Sequence, residues 1–368
     1  MSQVAEYKPG HSVLFDDIVW REPISGRPLE PIVAARTPAG VPISGALRVS
    51  GTDTGYPIVD SVARLTVDLA HRYRHWLKPF DLAPPDVGSL AGEFQSEDTV
   101  ESFGFQWTWN SEMRTELDLL WRVATRFQLA PRDFAGKVVL DAGAGAGDQS
   151  RWLLDHGACV VSIDLSSAID VVARKLRDRP GWVGVQGDLM ALPFAPAQME
   201  MVYCEGVLPF TGDAAAAVRE LCRVTTDGGL ILATHYATPG AALKGRLRHA
   251  VVAHLRSHLS RMDRYELLWA TGSLAALAYV PGLRTAVRKS GIATYGDAMP
   301  DFKTTWTNTF DTYGDHTYQR YISESEFWGY FEAAGAGRRI YSDGTVVVAQ
   351  VESVGDRQPG PSRSSDAP

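Results

Sequence analysis

Apolar residues between positions 138 and 234 form short continuous runs, and stretches with helical spacing separate these runs. Continuous runs of this length predict strands that are buried on both faces, as in a parallel sheet. Five such strands are predicted: Val138 to Asp141, Ala158 to Asp164, Trp182 to Gly187, Met199 to Cys204 and Leu230 to Thr234. Because they alternate with helical segments, the pattern predicts an α/β fold.

After residue 320 the pattern predicts a helix and a hairpin that complete the sheet. The helix spans Glu324 to Gly335, with Ser323 as its N-cap. The strands Gly337 to Ser342 and Thr345 to Val351 are joined by a turn with the Asp-Gly sequence that favours tight hairpins. The predicted fold is therefore α/β, with a doubly wound, mostly parallel seven-stranded sheet.

Two further segments have patterns of their own. Residues 1–75 alternate short apolar stretches with prolines and glycines, which predicts a small β-rich module. Residues 239–320 are too many for an ordinary connection and show helical spacing, so they are predicted to form a helical lid insertion. Its first helix carries apolar residues on one face, at Leu243, Leu247, Val251, Leu255 and Leu259, and basic residues on the other, at Lys244, Arg246, Arg248, Arg256, Arg261 and Arg264. Two interpretations of the basic face stay open: a solvated surface, or a surface that attracts an acidic or phosphorylated substrate.

The first predicted strand ends in an acid and is followed by three glycines at alternate positions, Gly143, Gly145 and Gly147. Glycine allows a sharp turn and a close backbone approach to a ligand because it has no Cβ. A strand, a glycine turn and a helix N-terminus together form a nucleotide-binding corner of a doubly wound sheet. The spacing differs from that of the dinucleotide fingerprint.

Acids recur where three successive strands end, at Asp141, Asp164 and Asp188. They are 23 and 24 residues apart, about one helix plus one strand each time. Ligands of open α/β sheets bind at the carboxyl ends of the strands, so the three acids are predicted to face one pocket. A carboxylate at the tip of the second strand is placed to hold a pair of ribose hydroxyls.

The Asp-x-Gly-x-Gly-x-Gly pattern from Asp141 to Gly147, with its downstream acids, resembles the first motif of the class I S-adenosylmethionine-dependent methyltransferases. The segment from Arg219 to Gly229 resembles the helix-and-turn signature of that family, with Asp227 in place of its usual proline. The resemblance implies a Rossmann-like methyltransferase fold with S-adenosyl-L-methionine as cofactor. It implies cofactor-binding roles for Asp141 (ammonium), Gly143, Gly145 and Gly147 (methionine portion), Asp164 (ribose) with Leu165, Asp188 and Leu189 (adenine), and Glu205 (methyl-transfer face).

Two upstream segments also resemble parts of known methyltransferases. Pieces at 22–29 and 55–60 resemble the ends of a zinc-ribbon-like module related to the activator subunit of tRNA methyltransferases, although residues 1–75 contain no cysteine. A metal-free structural or partner-docking role is predicted for it. The Phe-Gly-Phe-Gln-Trp segment at 103–107 resembles one that covers the methionine end of the cofactor; alternatively, its aromatic side chains pack a helix onto the sheet.

These segments divide the chain into five predicted parts. They are the ribbon-like module at 1–75, connecting helices with the cofactor-covering segment at 76–135, the cofactor-binding core at 136–238 and 321–353, the lid at 239–320, and a disordered tail at 354–368.

Candidates for acceptor chemistry are His235, directly after the fifth strand, and Tyr313 and His316, in a segment that related enzymes bring over the pocket. The turn after the fourth strand has no histidine, although family members often carry one there. The leading hypothesis is methyl transfer to a small molecule, in specialised metabolism. Two alternatives stay open: a non-methylating reaction on the same fold, such as cyclisation or elimination, and a partner-bound subunit that modifies a macromolecule.

Composition limits the partners. The net charge of −7 over 368 residues and a pI near 5.7 argue against a whole-surface attraction to nucleic acid or to acidic membranes, and neither is predicted as a partner. The three cysteines show neither metal-ligand spacing nor a disulfide framework, so no metal is predicted and a reducing cytoplasm is expected. No secretion signal or membrane-spanning run is visible. A homodimer or a protein partner bound through the N-terminal module stays open.

Overall fold

The computed structural model describes residues 14–86, 97–110, 115–238, 243–294, 301–314 and 320–352. Its main sheet has eleven strands, hydrogen-bonded in the order β1-β2-β3-β4-β7-β6-β5-β8-β9-β13-β12, and a second sheet pairs β10 with β11. The strands are β1 Leu29–Arg36, β2 Pro42–Val49, β3 Gly55–Val59, β4 Val62–Arg64, β5 Val138–Ala142, β6 Cys159–Asp164, β7 Trp182–Gln186, β8 Met199–Cys204, β9 Thr225–Thr234, β10 Tyr236–Ala237, β11 Tyr321–Ile322, β12 Ala336–Ser342 and β13 Val346–Val351.

The five predicted central strands are present, as β5 to β9, and they are parallel neighbours. Successive side chains point to opposite faces of the sheet. Val139 therefore packs with one set of helices while Leu140 belongs to a second core on the other face. Both faces are covered, which explains why these strands consist of almost continuous apolar residues. The parallel arrangement brings the carboxyl ends of β5, β6, β7 and β8 to one edge.

The predicted count of seven strands is wrong, because four N-terminal strands extend the sheet to eleven. The sheet is mixed, with five parallel and five antiparallel strand pairs. The reason is that β4 pairs with β7, with Val62 opposite Gly184, so that the N-terminal strands continue the central sheet. An open edge of β7 would expose unpaired backbone groups, and β4 satisfies them. The turn pattern of residues 1–75 could not show this partner.

Helices cover the two faces of the sheet, and further helices lie in the segment that is predicted to be a lid. The helices are α1 Leu14–Asp17, α2 Val67–Arg72, α3 Glu97–Trp109, α4 Glu116–Trp121, α5 Asp148–Asp155, α6 Ala168–Leu176, α7 Ala214–Val224, α8 Leu243–Leu259, α9 Arg264–Leu277, α10 Arg284–Ser290, α11 Phe302–Tyr313 and α12 Glu324–Ala334. A π-helical turn, Arg122–Arg126, follows α4 directly. Within the described residues, no helix is both long and apolar enough to cross a membrane.

The C-terminal elements follow the sequence pattern closely. Ser323 Oγ accepts a hydrogen bond from the Glu326 backbone N–H at the start of α12, and Gly335 ends that helix with φ +86°. Strands β12 and β13 form the expected antiparallel hairpin, and β13 pairs antiparallel with β9. The predicted disordered tail lies outside the described residues, and the division into domains stays a prediction.

Candidate cofactor and acceptor site

Two adjoining cavities lie at the carboxyl ends of the central strands. The larger has an empty volume of about 670 Å³, including open solvent at its mouth, and the smaller about 440 Å³. Trp107, Gly143 and Glu205 line both, so the two cavities share a wall. The larger is also lined by Val100, Phe103, Asp164, Leu165, Ser166, Leu189, Gly206, Val207, Phe210 and Thr211, and the smaller by Asp141, Ala144, Gly145, Ala146, Asp148, Gln149 and Tyr203.

The glycine loop is held against the end of β6. The backbone N–H groups of Gly143 and Ala144 both donate to the Ile163 carbonyl, at 2.8 and 3.0 Å. Gly145 has φ +51°, and a Cβ at that position would lie 3.1 Å from the Trp107 ring. The loop therefore needs glycine both for its backbone conformation and for the close approach of Trp107.

Asp164 joins this loop to the end of the second central strand. Its Oδ2 accepts the Gly145 N–H at 2.9 Å, and its Oδ1 accepts the N–H and hydroxyl of Ser166 at 2.9 and 2.6 Å. Burial raises the pKa of this carboxyl, and the three hydrogen bonds oppose that rise. Asp164 and Leu165 both line the larger cavity, where the sequence places the ribose site.

The other two strand-end acids differ in position. Asp141 lines the smaller cavity and accepts a 2.5 Å hydrogen bond from Ser150 Oγ, which in turn contacts Ser162 Oγ at 2.7 Å. Among the described residues that line the larger cavity, Leu189 is present and Asp188 is absent. The Asp188 carboxylate accepts the Met190 backbone N–H at 2.8 Å, and burial raises its pKa.

Glu205 forms two ion pairs and a hydrogen bond in the site. Its Oε1 pairs with Arg122 at 2.5 Å and with Arg126 at 2.6 Å, and its Oε2 accepts the Tyr203 hydroxyl at 2.6 Å. The π-helical turn has a hydrogen bond from the Phe127 N–H to the Arg122 carbonyl, five residues apart. Residues four apart nearly align in such a turn, which brings both guanidinium groups to one oxygen. The sequence analysis missed both arginines, because their spacing alone does not indicate a partner.

The aromatic segment on α3 lines the larger cavity and also packs against other helices; its role as a cover for the cofactor stays a prediction. Trp107 and Phe103 line the larger cavity, and Trp107 covers Gly145. Phe105 points elsewhere and packs against Tyr265 and Phe310 of the lid, with ring centroids 5.5 and 6.1 Å apart. Cavity lining and helix packing are therefore divided between neighbouring residues of one helix.

Gln149 supplies the clearest sign of a polar ligand. It lies in the first turn of α5, lines the smaller cavity and is only 4% exposed. Among the residues that the structure describes, neither atom of its side-chain amide has a hydrogen-bond partner. Buried amides are normally satisfied, so this one fits a ligand with both donor and acceptor groups, such as an amino acid carboxylate and ammonium. Gln149 was not among the site residues predicted from the sequence.

A chain of hydrogen bonds links the N-terminal strands to the larger cavity. Arg64 on β4 is 2% exposed and donates to Gln186 Oε1 at 2.6 Å and to Asp170 Oδ1 at 2.6 Å. Gln186 Nε2 then donates to the Leu165 carbonyl at 3.1 Å. Leu165 lines the cavity, so a residue from the predicted N-terminal module fixes backbone at the cofactor site.

The three acceptor-chemistry candidates are not brought together. His235 is 3% exposed and lines a separate small cavity with Phe327, whose ring centroid is 4.4 Å away. Tyr313 is fully buried in the lid and donates to the Ile292 carbonyl at 3.0 Å. His316 lies outside the described residues. Their chemical roles stay predictions that these positions do not support.

The fold and site define a doubly wound α/β domain with two adjoining cavities at its strand ends. The model described as "Methyltransferase domain" matches residues 140–233. The demethylmenaquinone methyltransferase of Beutenbergia cavernae is 38% identical over 130 residues, which are 35% of this chain and 52% of the relative. That of Mycobacterium tuberculosis is 32% identical over 197 residues, 51% of this chain and 76% of the relative.

A solved S-adenosylmethionine-dependent methyltransferase from Mesorhizobium loti is 26% identical, with 34% of this chain and 60% of that chain covered and a TM-score of 0.29. The chain spans about half the length of the Beutenbergia relative, and three quarters of the Mycobacterium one. It belongs to the class I S-adenosylmethionine-dependent methyltransferase family, and its cofactor is S-adenosyl-L-methionine.

Proposed function

We propose that this chain transfers a methyl group from S-adenosylmethionine to a small-molecule acceptor, in a biosynthetic step of specialised metabolism. The observation that carries the proposal is the Asp164 carboxylate, which joins the glycine loop to the ribose side of one cavity. That cavity extends without interruption to Glu205, at the end of β8.

Each side chain then has a separable task. Asp164 accepts hydrogen bonds from the ribose hydroxyls, and Leu165 and Leu189 form the apolar walls of the adenine site. Gln149 and Asp141 bind the amino acid end beside the glycine loop. The bound cofactor supplies a methyl group that its sulfonium already activates. The protein's main contribution is to hold the acceptor in line with that group.

The acceptor side is largely apolar. Phe103, Val207 and Phe210 form its wall, and Phe103 and Phe210 meet edge to face with centroids 5.1 Å apart. Glu205 is the charged group on this side, held rigid by its three partners. A flat, mainly apolar acceptor with one polar group fits such a wall. The names of the relatives, demethylmenaquinone methyltransferases, support a phenol or quinol of this kind.

Calorimetry with S-adenosylhomocysteine tests the cofactor half of the proposal. Asp164→Ala removes the acceptors for two ribose hydroxyls, so the affinity is expected to fall about a hundredfold. Asp155→Ala is the matched control, because Asp155 forms surface ion pairs with Arg151 and Arg179 outside both cavities. Equal affinities for the two variants would contradict the assignment.

Mass spectrometry tests the transfer half. The wild type, S-adenosylmethionine and a panel of hydroquinones are expected to give a product that gains one methyl group. Conversion of an acceptor without this gain would contradict methyl transfer and favour a non-methylating reaction on the same fold.

A further inference from the structure

The lid carries an unusual apolar surface on α9. Met262, Tyr265, Trp269, Leu277 and Val280 are 40, 69, 73, 39 and 42% exposed. We call these five residues the lid stripe. They are spaced three, four, eight and three positions apart, so those on α9 share one helix face. The opposite face is buried, with Leu267 and Leu268 packed in the lid core with Phe310.

The helix is therefore apolar on both sides. No charged residue occurs from Leu267 to Val280, and only Arg264 and Glu266 in the first turn are charged. A helix at a solvent-exposed surface normally has a charged outer face. A helix that is apolar all round is normally buried against other protein or in a membrane. Exposed, clustered apolar side chains of this kind mark an interaction surface.

Charge is segregated around the same helices. Residues 243–294 contain nine lysines and arginines against Asp263 and Glu266, a net charge of +7. The whole chain is −7, so the remaining residues carry −14. The lid stripe lies between two exposed arginines in sequence, Arg261 and Arg284. The whole-chain charge, which argues against a whole-surface attraction to acidic membranes, averages over this asymmetry.

We propose that the lid stripe docks the protein on the surface of an anionic lipid bilayer. An apolar helix face with Trp and Tyr, flanked by arginines, lies in the plane of a bilayer interface. At 14 residues α9 is about 21 Å long, too short to span the hydrocarbon core. Docking would place the protein at the phase in which an apolar acceptor dissolves, a consequence that rests on the proposed function.

Two other occupants fit less well. In a second copy packed antiparallel on the stripe, Arg261 of each chain would approach Arg284 of the other, and two lids of net charge +7 would face each other. A nucleic acid requires cations interleaved with the aromatic side chains along its path, whereas the stripe has an uncharged centre.

Vesicle co-sedimentation of the full chain tests the proposal, without cofactor, so its outcome is independent of methyl transfer. Wild type is expected to bind vesicles of phosphatidylcholine mixed with phosphatidylglycerol more tightly than vesicles of phosphatidylcholine alone. Trp269→Ser is expected to lower the affinity for the mixed vesicles about tenfold or more. Trp269→Phe, which keeps an aromatic ring, is expected to retain most of the wild-type affinity. Arg261→Gln and Arg284→Gln are each expected to lower it about fivefold at low salt.

Trp76→Ser is the matched control, because Trp76 is also exposed, at 39%, but lies on a turn that contacts β3. It is expected to bind vesicles like wild type. Circular dichroism of all variants checks that they are folded. Folding is expected to be unchanged, because the substituted side chains are exposed. Absence of wild-type binding to the mixed vesicles, or equal binding by Trp269→Ser, would overturn the proposal. Two other results would also overturn it: the wild type forms a dimer without vesicles and Trp269→Ser does not, or RNA co-purifies with the wild type and not with Trp269→Ser.

Discussion

Replacing Glu205 by glutamine removes a negative charge that pairs with two guanidinium groups, those of Arg122 and Arg126. The carboxylate side chain is 4% exposed, and those of Arg122 and Arg126 are 12 and 20% exposed, so water screens the group little. Glutamine keeps the shape and one oxygen but leaves two cations facing each other. Breaking a buried ion pair by removing one partner costs about 3–5 kcal/mol. We expect about 3 kcal/mol, the lower end, because the amide can still accept one hydrogen bond.

Guanidinium chloride denaturation, followed by circular dichroism, measures this loss as a change in the free energy of unfolding. Glu200→Gln is the control, because Glu200 lies on β8, the strand that Glu205 follows, but forms its ion pair at the surface. Its Oε1 is 2.8 Å from Lys137 Nζ, and the lysine side chain is 45% exposed. Its expected cost is below about 1 kcal/mol.

A double-mutant cycle tests the cause of the loss. With Glu205→Gln in place, Arg126→Gln is expected to restore part of the stability, because it lowers the repulsion between the two neighbouring guanidinium groups. In the wild type the same change is expected to destabilise. If Arg126→Gln costs the same in both backgrounds, or if Glu205→Gln unfolds like the control, the shared-charge reasoning is wrong.

Three further predictions follow from the site and its surroundings. Gly145→Ala is expected to lower S-adenosylhomocysteine affinity at least about tenfold, whereas Gly136→Ala, with a similar φ of +74° but nothing within 4 Å of the added Cβ, retains it in the same calorimetric titration. Gln186→Glu keeps the acceptor for Arg64 but loses the donor to the Leu165 carbonyl. Calorimetry is therefore expected to show weaker cofactor binding, with an unchanged melting temperature. A lower melting temperature with unchanged affinity would contradict this reasoning. Burial lowers the pKa of His235, so the folded state binds fewer protons than the unfolded chain; stability is expected to be full above about pH 6.5 and to fall as the pH drops below it, and His235→Phe is expected to flatten that decline in denaturation curves measured across pH.

The positions where the central strands end were predictable, because the pattern of apolar residues along the chain depends directly on burial. Asp141 and Asp164 follow strands whose apolar runs are continuous, and parallel strands must end at one edge. The glycine loop was predictable for the same local reason, since Gly143, Gly145 and Gly147 all have positive φ. The roles of individual acids were less predictable, because a carboxylate at a strand end can also bond to a neighbouring backbone N–H, as Asp188 does.

The sequence by itself determined the order of strands and helices, the glycine loop and the side of the sheet on which ligands bind, because each depends on neighbours along the chain. Only the tertiary structure decided that β4 extends the sheet through β7, that Arg122 and Arg126 meet Glu205, and that Arg64 supports Leu165 through Gln186. These contacts join residues about 80 to 120 positions apart. Their partners are chosen by which backbone edges and charges the packed fold leaves unsatisfied, and a pattern of local periodicity contains no record of that choice.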